Sequence, residues 1–160
     1  VEKASDWHSA LPEGHGRGVA ISHVFGGYVA TVIELAMQGE LGVKIKRVIS
    51  AVDCGIVTNP TSVSAQIEGG TLFGISAAFF NEIHIENGAV QQKNYDTYRQ
   101  LRITDAPSVE VHITKSAEQP GGVGEAGTSL AAPALVNALY AASGKRIRRI
   151  PLNRHGYFTV

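Results

Sequence analysis

Tyr28-Val29-Ala30-Thr31-Val32-Ile33-Glu34-Leu35-Ala36 decides the fold of this chain. The run is rich in β-branched residues with an aromatic at its head, a composition that suits a pleated, half-buried surface. Ahead of it, Val19, Ile21 and Val24 lead through Gly26-Gly27 into the strand. Behind it, Gln38 to Gly42 carries Gly39 and Gly42 and reads as a hairpin turn. Val43-Lys44-Ile45-Lys46-Arg47-Val48-Ile49 then alternates in part, which predicts a second strand with one wet face, and Ser50-Ala51-Val52-Asp53-Cys54-Gly55 ends at a glycine. Two long antiparallel strands are therefore the frame.

Helix signals lie further along. Asn59 can cap a helix whose first position is Pro60, where a missing N–H costs nothing. Val63, Ile67, Gly70, Gly74 and Ala77-Ala78 follow at near-helical spacing. Gly69, Gly70 and Gly74 leave a smooth groove suited to close approach of a backbone or a ligand, and Gln66 shares roughly one face with Gly69 and Gly70. Glu82–Ile85 and Ala89–Gln92 flank Asn87-Gly88, a hairpin signal. Asn94 to Asp105 is polar and reads as loop. Val109 to Thr114 alternates as a strand. Ser129 is a candidate cap for a last helix with Pro133 in its first turn and Leu135, Ala138, Leu139 and Ala142 on its apolar stripe. Gly144 ends that helix, Lys145-Arg146 suits its negative pole, and Ile147–Leu152 reads as a short basic strand. This order predicts an α+β fold: a largely antiparallel or mixed sheet with two main helices packed on it.

Composition narrows the function classes. A chain of 160 residues with 44% apolar and 18% charged residues is long and apolar enough to bury a core as one domain, or one piece of a larger one. The formal net charge of zero gives no general attraction to nucleic acid or to a membrane surface. No apolar run approaches the ~20 residues that span a bilayer. The chain opens on Val1 without a signal peptide, which points to a fragment or a processed chain. Cys54, the single cysteine, can form no intrachain disulfide, and the six histidines are scattered without ligand-like spacing, so no metal held directly by side chains is expected. The organisation expected is a lead-in segment over residues 1–18, a central domain over 19–152 and a tail over 153–160.

Between the Val109–Thr114 strand and the last helix runs Gly121-Gly122-Val123-Gly124-Glu125-Ala126-Gly127-Thr128, four glycines around one carboxylate. Three readings are open. Gly122 to Gly127 matches G-x-G-x-x-G, but a dinucleotide site wants the strand to run straight into the motif and an acid about twenty positions later. Here Pro120 intervenes and no Asp or Glu follows Glu125. The second reading is a connection whose Glu is solvated beside a helix start, or which meets a partner or a phosphate in a non-catalytic module. The third makes Glu125 a general base, with glycines leaving room for substrate. The chain offers no nucleophile–base pair, so a base here needs a cofactor to bring the reactive centre.

Asp53-Cys54-Gly55, Asn59-Pro60, Ala65-Gln66-Ile67-Glu68-Gly69-Gly70, Gly122-Val123-Gly124-Glu125, Ala132-Pro133-Ala134-Leu135 and Gly144-Lys145-Arg146 come in this order. The series resembles the C-terminal part of the molybdenum-binding large subunit of the xanthine dehydrogenase / aldehyde oxidase family. It is most similar to the isoquinoline 1-oxidoreductase β-subunit and bacterial aldehyde dehydrogenase types. The likeness runs from about Lys3 to about Leu152. It implies a molybdopterin cofactor, in the cytosine dinucleotide form, and a hydroxylase that oxidises an aldehyde or an N-heterocycle with oxygen from water. By position, Glu125 takes the base role, Gln66 contacts the pterin, and Gly122, Val123 and Gly124 lie against the cofactor. The resemblance also implies iron–sulfur clusters on a small partner subunit and an upstream part of the same large subunit, in either bacterial cytoplasm or periplasm. Many relatives have Pro after the Glu where this chain has Ala126. The family's other cofactor-binding segments belong upstream, so this chain supplies half a site.

Overall fold

Three strands laid down in chain order carry the architecture of the computed structural model, which describes residues Val1–Val160. β1 (His15–Val24), β2 (Gly27–Gln38) and β3 (Gly42–Asp53) form an antiparallel meander. The β1–β2 turn places Phe25 and Gly26 at φ +52° and +80°, the paired left-handed conformation of a tight hairpin. α1 (Pro60–Phe80) follows, with Asn59 Oδ1 accepting from the Ser62 N–H as the expected cap. β4 (Ile85–Glu86) and β5 (Ala89–Val90) make a separate small hairpin at Asn87-Gly88, shorter than the sequence suggests. β6 (Val109–Ile113) joins β3 in parallel, α2 (Ala126–Ser143) crosses back, and β7 (Phe158–Thr159) pairs in parallel with the start of β3. The class is α+β, with a mixed sheet ordered β1-β2-β3-β6 and two helices on one face.

Alternation decides which face the helices cover. Val29, Thr31, Ile33 and Leu35 of β2 point inward with Val48, Ser50 and Val52 of β3, and all are buried. A register shift opposite Glu34 and Leu35 inserts Lys46 as an extra residue, so that Ile45 and Val48 both reach the core. The larger cluster joins Ile33, Leu35 and Val48 to Ile75 and Phe79 of α1 and to Leu135 and Leu139 of α2. Each such side chain contributes roughly 1.5–3 kcal/mol on full burial. The smaller cluster, Val29, Val52, Cys54, Val63, Ile67, Ala126 and Leu130, lies beneath the glycine loop.

α2 packs unusually closely. A Cβ on Gly18 of β1 would overlap backbone atoms of Ala134 and Ala138, so the helix rests directly on the strand. Gly70 and Gly74 do form the groove expected on α1, but α2 fills it. A Cβ on Gly74 would lie 2.5 Å from Thr128 O and 2.6 Å from Ala131 Cβ.

Three local expectations are corrected. α2 begins at Ala126, not after a Ser129 cap: Ser129 sits inside the first turn, where its hydroxyl donates to Ala126 O. Ala126 and Gly127 are drawn into the helix by burial against α1, which a local capping rule does not see. Pro133 consequently falls beyond the first turn, on the exposed side. Ile147–Leu152 forms no strand. The free start of β3 is taken by Phe158–Thr159 instead, Pro151 lacks an N–H for a ladder, and the buried Leu152 opens an otherwise exposed 3₁₀ turn, Leu152–His155. Gly144 does end α2 in the left-handed conformation, while Lys145 turns to Glu40, 2.7 Å away.

Candidate cofactor-binding wall

The glycine loop is pinned before it reaches α2. After β6, Thr114 N–H donates to Val52 O at 2.8 Å. Glu118 O accepts from Ile56 N–H at 3.0 Å, and Gly121 N–H donates to Cys54 O at 2.8 Å. Gly122 N–H donates to Phe25 O, also at 2.8 Å. The loop thus lies across the end of β3 and against the β1–β2 turn. Residues 114–125 separate β6 from α2, so the strand does not run into the G-x-G-x-x-G segment as a dinucleotide site requires.

The glycines of the loop divide by role. A Cβ on Gly121 would stand 2.9 Å from Phe25 O, and one on Gly122 would stand 3.0 Å from Phe25 Cβ. These two are small because the hairpin turn approaches them. Gly124 has nothing within 4 Å of its Cβ position, so its bareness serves no packing inside the chain. Val123 packs partly into the smaller cluster and anchors the loop between them. The sequence alone could not make this division, because it depends on where Phe25 lies.

Glu125 occupies the N-cap position of α2 at φ −124°, ψ 0°, yet its side chain makes no capping hydrogen bond and is exposed. The fold does not use the carboxylate. Gln66 on α1 is likewise exposed and makes no side-chain hydrogen bond within the chain. The helix crossing brings the two segments together. A Cβ on Gly127 would lie 2.6 Å from Ile67 O and 3.0 Å from Thr71 N, and one on Gly70 would lie 3.3 Å from Thr128 N. Gln66 directly precedes Ile67 and Glu125 stands two residues before Gly127, so both flank one end of the α1–α2 contact. Sequence reasoning missed Thr71: its hydroxyl is fully buried beside Gly127 and has no partner. A threonine among small residues on a helix gives no local sign of this.

An exposed amide, an open glycine and a free carboxylate fit a cofactor lying across this surface. All three are exposed, so this surface is open rather than enclosed. No three His, Cys, Asp or Glu side chains gather as metal ligands, so a metal here would arrive within its own organic ligand. Cys54, beneath the loop, is buried, and that burial together with the nearby Asp53 charge raises its thiol pKa. No helix is long and apolar enough to cross a membrane.

Comparison with known proteins gives the family. Residues 2–107 match the family described as molybdopterin cofactor-binding domain. A membrane-bound aldehyde dehydrogenase (pyrroloquinoline-quinone) of Gluconacetobacter polyoxogenes is 41% identical over 101 residues, covering 63% of this chain and 13% of that protein. The isoquinoline 1-oxidoreductase subunit beta of Brevundimonas diminuta is 31% identical over 156 residues, 95% of this chain and 20% of that subunit, a span that includes residue 125. This chain therefore spans about a fifth or less of these relatives. Among solved structures, quinoline 2-oxidoreductase of Pseudomonas putida 86 shares the fold with a TM-score of 0.69 at 21% identity, covering 81% of this chain and 18% of that one. CO dehydrogenase of Oligotropha carboxidovorans does so with a TM-score of 0.69 at 22% identity, over 79% and 17%. The chain belongs to the molybdopterin cofactor-binding domain family, within the xanthine dehydrogenase / aldehyde oxidase group of molybdenum-binding subunits.

Proposed function

We propose that this chain is the C-terminal molybdopterin-binding portion of a molybdenum hydroxylase large subunit, oxidising an aldehyde or N-heterocycle with water as the oxygen source and using Glu125 as general base. The observation that carries the reading is the free carboxylate of Glu125 at the head of α2, beside the open position at Gly124. On this reading residues 1–18 lead into the domain, residues 19–152 form it and residues 153–160 close it. The remaining walls come from the upstream part of the same polypeptide.

The cofactor, proposed as the cytosine dinucleotide form of molybdopterin, supplies the two-electron oxidation when bound, with iron–sulfur clusters on a small partner subunit taking the electrons. This chain's residues bind, position and move a proton. The Gln66 amide offers a donor and an acceptor to the edge of a heterocycle. Gly122 and Val123 shape the loop, and Gly124 admits a ligand against the main chain. Glu125 accepts a proton at a carboxylate oxygen as the substrate carbon is attacked, and releases it to water when product leaves. A base of this kind works best once the surrounding subunit excludes bulk water.

The test is Glu125→Gln in the complete enzyme, with molybdenum and pterin content measured beside turnover. Loss of a positioned base is expected to lower kcat by about 10²–10⁴-fold, with both contents retained. A rate within a few-fold of the parent enzyme refutes the base assignment. A parent complex holding no molybdenum and no pterin refutes the whole reading and favours a non-catalytic module that meets a partner or a phosphate through the glycine loop.

A further inference from the structure

The face of the sheet turned away from the helices is half covered. Residues 1–9 fold into tight turns on it: Ser5 N–H donates to Val1 O at 2.9 Å and Trp7 N–H to Glu2 O at 3.2 Å. Charged residues of that face hold them there. Arg17 Nη1 donates to the carbonyls of Asp6, Trp7 and Ser9, and Arg47 Nη2 donates to Ser5 O at 2.8 Å. Beneath this strap Val32 and Ile49, cross-strand neighbours on the outward side, are fully buried.

One row further along, the cover stops. Ile21, Ala30 and Ala51 stand side by side across β1, β2 and β3, and Tyr28 occupies the next row. Ile21 is 72% exposed, Tyr28 57% and Val19 38%. The row is flat because its centre is two alanines; it ends at His112 on β6, and Asp53 stands beside Tyr28 in the next row. The neighbouring outward pair Val32 and Ile49 is fully buried, so the strip stands bare beside a covered row.

The position of Val1 tells what covers it. Val1 and Glu2 line, with Trp7, His8, Val19 and Val32, a cleft of about 390 Å³. Any polypeptide leading into Val1 therefore reaches this chain beside Val19, at the boundary between the strapped rows and the bare one. Relatives of this chain are about five times its length or more. We propose that the outer sheet face, centred on Ile21 and Ala30, is the docking surface for the segment immediately upstream of Val1 in the parent subunit, which lays an apolar stretch across Ile21, Ala30, Ala51 and Tyr28. The strap and that segment together make a second layer, and Arg17 and Arg47 fix its entry point. The inference rests on the reading of this chain as the C-terminal part of a longer subunit.

The experiment places a photo-crosslinking benzoylphenylalanine at position 21 of the complete parent enzyme, followed by digestion and peptide mapping. The expected crosslink joins position 21 to a peptide of the same polypeptide just ahead of Val1. A crosslink to a distant part of the polypeptide, to another subunit, or to nothing overturns the docking inference while leaving the C-terminal assignment standing. A parent polypeptide with no upstream segment overturns both. Ile21→Thr in the same enzyme gives a second measurement. It keeps the β-branch and removes apolar surface, so a melting temperature lowered by a few degrees supports a covered face, and an unchanged one contradicts it.

Discussion

Gly127, at the second position of α2, faces the carbonyl of Ile67 in α1 so closely that a Cβ there would lie 2.6 Å from the oxygen. Backbone meets backbone, and neither partner can rotate away. Gly127→Ala therefore has to push the helices apart despite the better helix propensity of alanine, and is expected to destabilise the fold by about 1–3 kcal/mol. Gly69→Ala is the matched control. Nothing lies within 4 Å of its Cβ position, so the gain of up to about 1 kcal/mol from propensity should appear unopposed. Denaturant midpoints that move in opposite directions confirm the contact, and midpoints that rise together contradict it.

Arg17 is the hub of the strap. Its side chain is only 7% exposed, its Nε donates to Glu34 at 2.9 Å, and its Nη1 and Nη2 together serve Asp6 O, Trp7 O, Ser9 O and Ser9 Oγ. Arg17→Ala leaves Glu34 with Arg47 at 3.6 Å alone and orphans the carbonyls of Asp6, Trp7 and Ser9 in the strap. Removing one member of a buried pair costs about 3–5 kcal/mol, and Arg47 places this case toward the lower end. Arg17→Lys should recover little, since one ammonium cannot reach all these acceptors. Limited proteolysis checks both variants: residues 1–9 should be cut first, and strap protection equal to the parent chain refutes the role.

Much of the frame was legible because its signals are local. The β2–β3 hairpin, the Asn59 cap and the Asn87-Gly88 turn each depend on residues a few positions apart, and each forms as read. Signals set by distant partners were not legible. Ser129 looks like a cap until Ile67 draws Gly127 into the helix. Ile147–Leu152 looks like a strand until Phe158 and Thr159 take the edge of β3. Gly70 and Gly74 read correctly as a groove, but the sequence does not name α2 as the body that fills it. The candidate wall shows the same division. Glu125 and Gln66 stand out as residue types in a motif, whereas the contrast between Gly122, crowded by Phe25, and the open Gly124 exists only in three dimensions.

Two exposed ion pairs tie stability to pH. The hydrogen bond from Arg154, then its charge and that of His84, hold the Glu82 carboxyl below its ordinary value of 4.5. A lowered folded value means stability that is complete above 4.5 and is lost as pH falls through the folded value. Lys145 is raised above 10.5 by its hydrogen bond to Glu40 and by that charge. Its contribution is complete below 10.5 and is lost as pH rises through the folded value. Melting temperatures should therefore show a smaller acid decline in Glu82→Gln with an unchanged alkaline limb, and a smaller alkaline decline in Lys145→Met, which also flattens the acid limb because the same bond holds the Glu40 carboxyl below 4.5. Both differences should shrink in about 1 M salt, because exposed pairs are screened. Variants that keep the parent slopes refute the linkage.

Thr31 and Ser50 face each other across β2 and β3, fully buried, with their hydroxyls 2.9 Å apart and no other side-chain partner. The pair gives a sharp sign prediction. Thr31→Val alone keeps the shape of the side chain but leaves Ser50 Oγ buried without its bond, at a cost of about 1–3 kcal/mol. Ser50→Ala alone orphans Thr31 Oγ1 in the same way. The double variant removes both polar groups from an otherwise apolar layer of the core and should be less destabilised than the two singles added together. A coupling of about 1 kcal/mol or more is expected from the double-mutant cycle. Simple additivity in urea denaturation would show that the two hydroxyls are satisfied independently, and the hydrogen bond between them would then have no part in fixing the register of the strands.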